Sequence, residues 1–303
     1  MKRTMFIVGI LALTVVTVII AVNFGGNNVV KNGKISVVTT LFPLYDFARN
    51  IGGDKISATL LLPPGVEAHV FEPKPSDVVR INQSDLFVYT GKFMEPWAED
   101  IVRGISGKEV KIVDSSAGVD LINERGGTDP HIWLGFENAM VMADNILKAI
   151  LEEDPANARY YRKNTDDYKN KLAGLDNDYK KALLKCQDRE IVYGGHYAFG
   201  YLARRYGLKY EAAYGISPDS EPSAKDLAGL IEQIKKEKIQ YVFYEELVSP
   251  KLAETLAQET GAQLLLLNPA HNITRGEYDN GATFISIMEN NLKNLSKGLR
   301  CEK

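Results

Sequence analysis

The chain contains four histidines, His69, His131, His196 and His271, and each lies where a metal ligand is expected. Three stand in Gly- or Pro-marked loops after predicted strand ends: Pro63-Pro64-Gly65-Val66-Glu67-Ala68-His69, Gly194-Gly195-His196 and Asn268-Pro269-Ala270-His271. The fourth sits in Asp129-Pro130-His131-Ile132-Trp133, just ahead of a predicted helix. Imidazole is the commonest neutral metal ligand near neutral pH. Four imidazoles close a tetrahedral Zn²⁺ shell and leave no position for a reacting water, which favours holding a metal over using it. A lone histidine is usually just a hydrogen-bonded residue. Here none of the four falls on a regular helix face, and the joint placement points to a site. Glu67 and Asp129, each two residues from a histidine, and Glu245 and Glu246, just past a predicted strand, are candidates to accept the far N–H of the rings.

The elements that must position these residues follow from periodicity. Ile35–Thr40, Ile56–Leu62, Leu86–Thr90 and Lys111–Val113 read as strands. Helical patterns separate them at Pro43–Ile51, in a short segment capped by Ser76, and around Glu95–Arg103. The second half repeats the scheme. Strands are expected at Glu190–Tyr193, Lys209–Ala213, Gln240–Tyr244 and Leu264–Leu267, and helices at Ala198–Tyr206, Ser223–Lys236, Pro250–Thr260 and Ala282–Ser296. Alternation of this kind predicts an α/β fold of two lobes, each a mainly parallel sheet flanked by helices. Between the halves, Tyr161, Tyr168, Leu172, Leu175, Tyr179 and Leu183 recur at spacings of 7, 4, 3, 4 and 4. That stripe predicts one long backbone helix joining the lobes, the alternative being a helical hairpin broken near Gly174. The expected organisation is a leader and tether over 1–33, an N-terminal lobe over 34–154, a linking helix over 155–186 and a C-terminal lobe over 187–303. In open α/β sheets ligands bind beyond the carboxyl ends of strands. If both lobes turn those ends inward, the four imidazoles meet in one cleft.

Lys2 and Arg3 precede an apolar run from Met5 to Val22, the pattern of an export leader. The run is long enough to span a bilayer core, and its basic flank should stay in the cytoplasm. Ala21-Val22-Asn23 is a poor cleavage site and no cysteine follows to carry a lipid, so an uncleaved anchor is expected rather than a cleaved signal. The chain beyond it is then extracytoplasmic: membrane-anchored, periplasmic or at the cell surface. Formal charge is −3, with 45% hydrophobic and 25% charged residues, which gives no reason to expect nucleic acid as a partner. Cys186 and Cys301 are far apart and lack metal-site spacing; a disulfide between them is permitted outside the cell, but the spacing does not decide it.

The stretch Pro64-Gly65-Val66-Glu67-Ala68-His69-Val70-Phe71-Glu72-Pro73-Lys74-Pro75-Ser76-Asp77 resembles the G-x-x-x-H-x-(Y/F)-E-P-x-P-S-D signature of cluster A-I substrate-binding proteins, which serve ABC importers of zinc and manganese. The resemblance continues at Thr90-Gly91, Met94-Glu95-Pro96-Trp97, Asp129-Pro130-His131-Ile132-Trp133-Leu134, Gly195-His196-Tyr197-Ala198-Phe199 and Ser217-Pro218-Asp219-Ser220-Glu221-Pro222-Ser223, and covers Ile35 to Leu299. It implies two lobes joined by a backbone helix, with His69, His131 and His196 as the first three metal ligands. The third position is His in zinc-type members and Glu in manganese-type ones, so His196 points to zinc. The fourth is usually Asp or Glu in the last loop. Here Asn268 takes the common aspartate position and His271 falls where some zinc-type members carry Glu, so either His271 or a water completes the shell. Ser115–Thr128 is short and free of histidine, so no metal-collecting loop is expected.

These readings converge on a high-affinity zinc receptor, not an enzyme, that delivers Zn²⁺ to an ABC permease and acts as a monomer tethered through its N-terminal segment. The alternatives are a receptor for manganese or another divalent metal, an exported zinc hydrolase using Glu67 or Glu246 as base, and a surface adhesin. No H-E-x-x-H motif supports the hydrolase.

Overall fold

The strands of this computed structural model, which describes residues 33–105, 110–217 and 222–302, fall into two four-stranded parallel sheets of identical order. The first contains β1 (Ile35–Thr39), β2 (Ile56–Leu60), β3 (Leu86–Tyr89) and β4 (Lys111–Asp114), arranged β2-β1-β3-β4. A two-stranded hairpin follows, β5 (Asn123–Glu124) against β6 (Gly127–Thr128). The second sheet contains β7 (Glu190–Tyr193), β8 (Lys209–Ala212), β9 (Tyr241–Tyr244) and β10 (Gln263–Leu266), arranged β10-β9-β7-β8. Both orders therefore reverse direction between their first and third strands. Residues Ile35–Lys303 make up one compact unit.

The helices are α1 (Phe42–Gly52), α2 (Pro75–Asn82), α3 (Pro96–Ile105), α4 (Phe136–Glu153), α5 (Ala158–Leu184), α6 (Gly200–Tyr206), α7 (Ala224–Glu237), α8 (Lys251–Thr260), α9 (Arg275–Asp279) and α10 (Phe284–Gly298). Side chains alternate across each strand, and both faces are covered, as parallel sheets require. Val37, Leu86, Val88, Ile191, Tyr193 and Phe243 face a large common core with Phe47, Trp133, Phe136 and Tyr179. Val38 and Phe87 face outward onto Ile81 and Ala98 of α2 and α3. Val192 and Val242 likewise meet Leu230, Ile234, Ala253 and Leu256 of α7 and α8.

Helix α5 runs uninterrupted through Gly174, with a 3₁₀ turn at Pro155–Asn157 leading into it. Its 27 residues span about 40 Å at the usual rise. The predicted stripe is its buried face, joined by Thr165 and Asp176. Polar contacts fasten it to both halves. Tyr168 donates to Asp46 of α1 at 3.1 Å, Tyr179 donates to the Met288 carbonyl of α10 at 2.6 Å, and Arg205 of α6 grips Asp176 at 2.6 and 2.7 Å. Asp46 also accepts the Phe284 amide at 3.2 Å, so one buried carboxylate touches three helices. Beyond the end of α5, Cys186 and Cys301 form a disulfide closing 115 residues, which settles their pairing.

One local expectation differs. Ser76 lies inside α2 and does not cap it; the helix starts after Lys74, whose amide donates to Asp77 at 2.9 Å. The helix expected after His131 is present and is 18 residues long. Among the described residues no helix is long and apolar enough to cross a membrane. The predicted leader and nearly all of its tether, and Pro218–Glu221 of the family signature, lie outside the described residues.

Candidate metal centre

Every predicted ligand leaves the carboxyl end of a strand. His69 lies in the loop after β2 and His131 in the loop after β4 and its hairpin, at the start of a 3₁₀ turn over Ile132–Leu134. His196 follows β7, Glu245 follows β9, and His271 follows β10. The pair β7 and β9 is the point where strand order reverses, the place where open sheets form their crevice.

Three rings converge. The Nε2 atoms of His69 and His131 are 3.2 Å apart, and those of His196 and His131 are 3.0 Å apart. A tetrahedral ion with nitrogen ligands at about 2.0–2.1 Å would set its ligand atoms about 3.3–3.4 Å from one another. The cluster is thus near the dimensions of a zinc shell. His131 and His196 are fully buried.

The ring orientations are dictated by carboxylates. Asp129 Oδ1 accepts the His131 backbone N–H at 3.0 Å and lies 2.8 Å from Nδ1 of the same ring. Glu245 Oε2 accepts the His196 backbone N–H at 3.2 Å and lies 2.7 Å from His196 Nδ1. Each oxygen is already an acceptor, so each Nδ1 carries the hydrogen. In the neutral rings the two Nε2 lone pairs then face each other at hydrogen-bond distance. Such a contact needs a proton or a cation between them.

Glycines make this geometry possible. A Cβ on Gly195 would stand 2.6 Å from Glu245 Oε2 and 2.5 Å from the Tyr193 ring, and one on Gly200 would stand 2.5 Å from Asp129 Oδ2. Burial followed by the charge of His196 depresses His69 to about 3, and the same two causes hold His131 and His271 well below the ordinary histidine range. For His196 burial works downward as well, but the charge and hydrogen bond of Glu245 outweigh it and raise its pKa. Burial lifts Asp129 to about 7.

His271 stands one step back. It groups within 4.8 Å with His196 and Glu245, whereas His69, His131 and His196 form a separate group of the same span. It is 1% exposed, and neither ring nitrogen has a hydrogen-bond partner. Its Nε2 lies 3.8 Å from Glu67 Oε1. Asn268 is occupied otherwise: its Oδ1 accepts the Ala270 amide at 2.8 Å, and its Nδ2 donates to Glu246. Glu246 is therefore turned to Asn268 and away from the ligand rings, where burial, then Glu277, pushes it up to about 8. Of the four candidate carboxylates, Asp129 and Glu245 meet a ring at hydrogen-bond distance, Glu67 faces His271 from further off, and Glu246 does not take part.

The loops of His69 and His131 are each fastened to that of His271. Asn272 donates to the Pro63 and Val66 carbonyls at 2.8 and 2.7 Å, the Gly65 amide donates to Ile273 at 2.8 Å, and Trp133 Nε1 donates to the Pro269 carbonyl at 2.8 Å. Sequence reasoning did not single out Asn272. An asparagine beside a candidate ligand gives no periodic signal, and its partners are backbone carbonyls some two hundred residues away.

Comparison with known proteins agrees with this architecture. The profile of the family "Zinc-uptake complex component A periplasmic", ZnuA, matches residues 37–298. The high-affinity zinc uptake system protein ZnuA of Bacillus subtilis is 38% identical over 284 residues, covering 89% of each chain. The zinc-binding lipoprotein AdcA of Streptococcus pneumoniae is 36% identical over 281 residues, covering 88% of this chain and 56% of the longer AdcA. Among solved structures, the Zn(II)-bound ZnuA-like domain of that AdcA superposes with a TM-score of 0.79 at 37% identity, covering 88% of this chain and 99% of the domain. The laminin-binding protein Lmb of Streptococcus agalactiae, described as bifunctional with adhesin and metal transporting activity, gives 0.81 at 31% identity, covering 88% of this chain and 99% of its own. With the match running through nearly the whole of both sheets and the helix between them, the chain belongs to the family of zinc-uptake complex component A.

Proposed function

We propose that this protein is an extracytoplasmic zinc receptor that hands Zn²⁺ to an ABC import permease. The observation that carries the reading is the convergence of three Nε2 atoms at 3.0 and 3.2 Å, with Asp129 and Glu245 fixing two of the rings. In this reading His69, His131 and His196 bind zinc directly, and a modest shift of the Leu267–His271 loop brings His271 in as the fourth ligand. Imidazole shells suit Zn²⁺, whereas Mn²⁺ prefers carboxylates and water, so manganese is the weaker cargo. The family and its zinc-bound relatives support the same cargo.

The site works as a receptor and not as a hydrolase. His131, His196 and His271 are at most 1% exposed, which suits an enclosed ion and gives a peptide or ester little access. Segments 34–154 and 187–303 act as two lobes about the linking helix 155–186, and the molecule works as a monomer. The apolar N-terminal run tethers it to the membrane. Mass spectrometry of the native N-terminus tests that tether; a mature chain starting near Asn23 contradicts it. A zinc-bound structure tests the site. It should show four imidazole nitrogens at about 2.0–2.1 Å from the ion. His271 well beyond that distance, with a water or carboxylate in its place, removes it from the shell.

A further inference from the structure

His131 has Asp129 behind it and His196 has Glu245, but His271 has no bonded carboxylate, and both of its ring nitrogens are buried without partners. Glu67 supplies what is missing. Its Oε2 accepts the Val70 amide at 3.1 Å, which fixes the carboxylate on its own loop. Its Oε1 is buried, lacks a hydrogen-bond partner and lies 3.8 Å from His271 Nε2. Two unpartnered polar atoms of complementary kind thus face each other just outside bonding range. Leaving either unpaired in a buried site is unfavourable, so a small movement that joins them is downhill. The loops that carry them are already clasped by Asn272 and Gly65, so the movement needed is local.

We propose that Glu67 is the positioning residue of His271: its Oε1 accepts the Nε2–H of that ring, so that His271 binds zinc through Nδ1. This rests on the zinc-receptor reading above. His131 and His196 would bind through Nε2 with Nδ1–H held by a carboxylate, and His271 would be the mirror case. The pairing also has a consequence for coupling. Asp129 and Glu245 each back a histidine in the same half of the chain, but Glu67 comes from the first sheet's loops and His271 from the second's. Closing the Glu67–His271 bond on metal binding would therefore tie the two halves at the cargo itself. The carboxylate adds one negative charge beside a shell of neutral ligands, which favours a divalent cation over none.

The test is ¹⁵N NMR of the histidine rings in the full chain, without and with zinc, combined with zinc affinity by chelator competition for Glu67→Ala and Glu67→Gln. In the wild type, zinc should shift Nε2 of His131 and His196 but Nδ1 of His271, leaving a protonated Nε2 on that ring. Glu67→Ala should weaken zinc binding about 10–100-fold, the range for loss of an outer carboxylate, and should release the His271 tautomer. Glu67→Gln should recover part of the affinity because its amide oxygen still accepts. Coordination of His271 through Nε2, no coordination of His271, direct ligation by Glu67, or unchanged affinity in Glu67→Ala each overturns the proposal. Those results leave the receptor reading intact as long as His69, His131 and His196 respond to zinc. If none of the three responds, the receptor reading itself fails. The wild-type measurement stands even if a variant folds poorly.

Discussion

Gly195→Ala changes a residue that touches no metal, yet it should cost zinc affinity. The added Cβ would stand 2.5 Å from a Tyr193 ring carbon and 2.6 Å from Glu245 Oε2. Tyr193 is fully buried and its hydroxyl is committed to the Leu267 carbonyl at 2.9 Å, so the ring has little freedom to yield. The Glu245 carboxylate must move instead, by roughly 0.5–1 Å to reach ordinary contact distance. That lengthens its 2.7 Å contact with His196 Nδ1 to roughly 3.2–3.7 Å, from the outer edge of hydrogen-bond range to beyond it. Loss of an outer carboxylate typically costs 10–100-fold in metal affinity, or about 1.4–2.8 kcal/mol. Overpacking adds about 1–3 kcal/mol of destabilisation. Chelator competition reads the first quantity and denaturant unfolding of the apo protein reads the second. Gly229→Ala, on α7 with open space around its Cβ position, is the control and should leave zinc affinity unchanged. A folded Gly195→Ala protein binding zinc within twofold of wild type would refute the claim that Glu245 positions His196.

Further outcomes follow from the same geometry. His69→Ala, His131→Ala and His196→Ala should each weaken zinc binding greatly while circular dichroism shows an intact apo fold, because the three proposed ligands sit on loops beyond the sheets; wild-type affinity in any one removes that residue from the shell. Zinc affinity should fall as pH drops, with a slope near one proton per ion, since His69, His131 and His271 are already neutral and only His196 has a raised pKa. A slope of three or four in an affinity–pH series contradicts that assignment. Apo stability should decline below about pH 6.5, where the unfolded chain takes up protons that three buried histidines refuse; His196 opposes this, gaining stability from its proton below its own folded pKa and losing it as pH rises. Reducing Cys186–Cys301, which closes 115 residues, should lower stability by up to about 4.8 kcal/mol on loop-entropy grounds and leave zinc affinity unchanged.

Much of this was legible because local chemistry and global pattern agree. The strand runs stand out because each is a short apolar segment stopped by turn residues, and the stripe Tyr161–Leu183 marks a helix at one glance. Histidines at strand ends signal a site before any fold is known. What stayed hidden depends on direction rather than identity. Glu245 and Glu246 are adjacent and identical in type, but the turn that leaves β9 sends one to His196 and the other to Asn268. The set-back of His271, the clasp of Asn272 and the disulfide all depend on distances between segments remote in sequence, which residue spacing does not encode.

The histidine cluster should select zinc over manganese. Metal analysis of protein purified without added metal, followed by equilibrium competition between Zn²⁺ and Mn²⁺, addresses it directly. The expected result is a single bound zinc per chain that excess manganese does not displace and that His131→Ala abolishes. Manganese occupancy at comparable concentration, or zinc bound undiminished by His131→Ala, would contradict it.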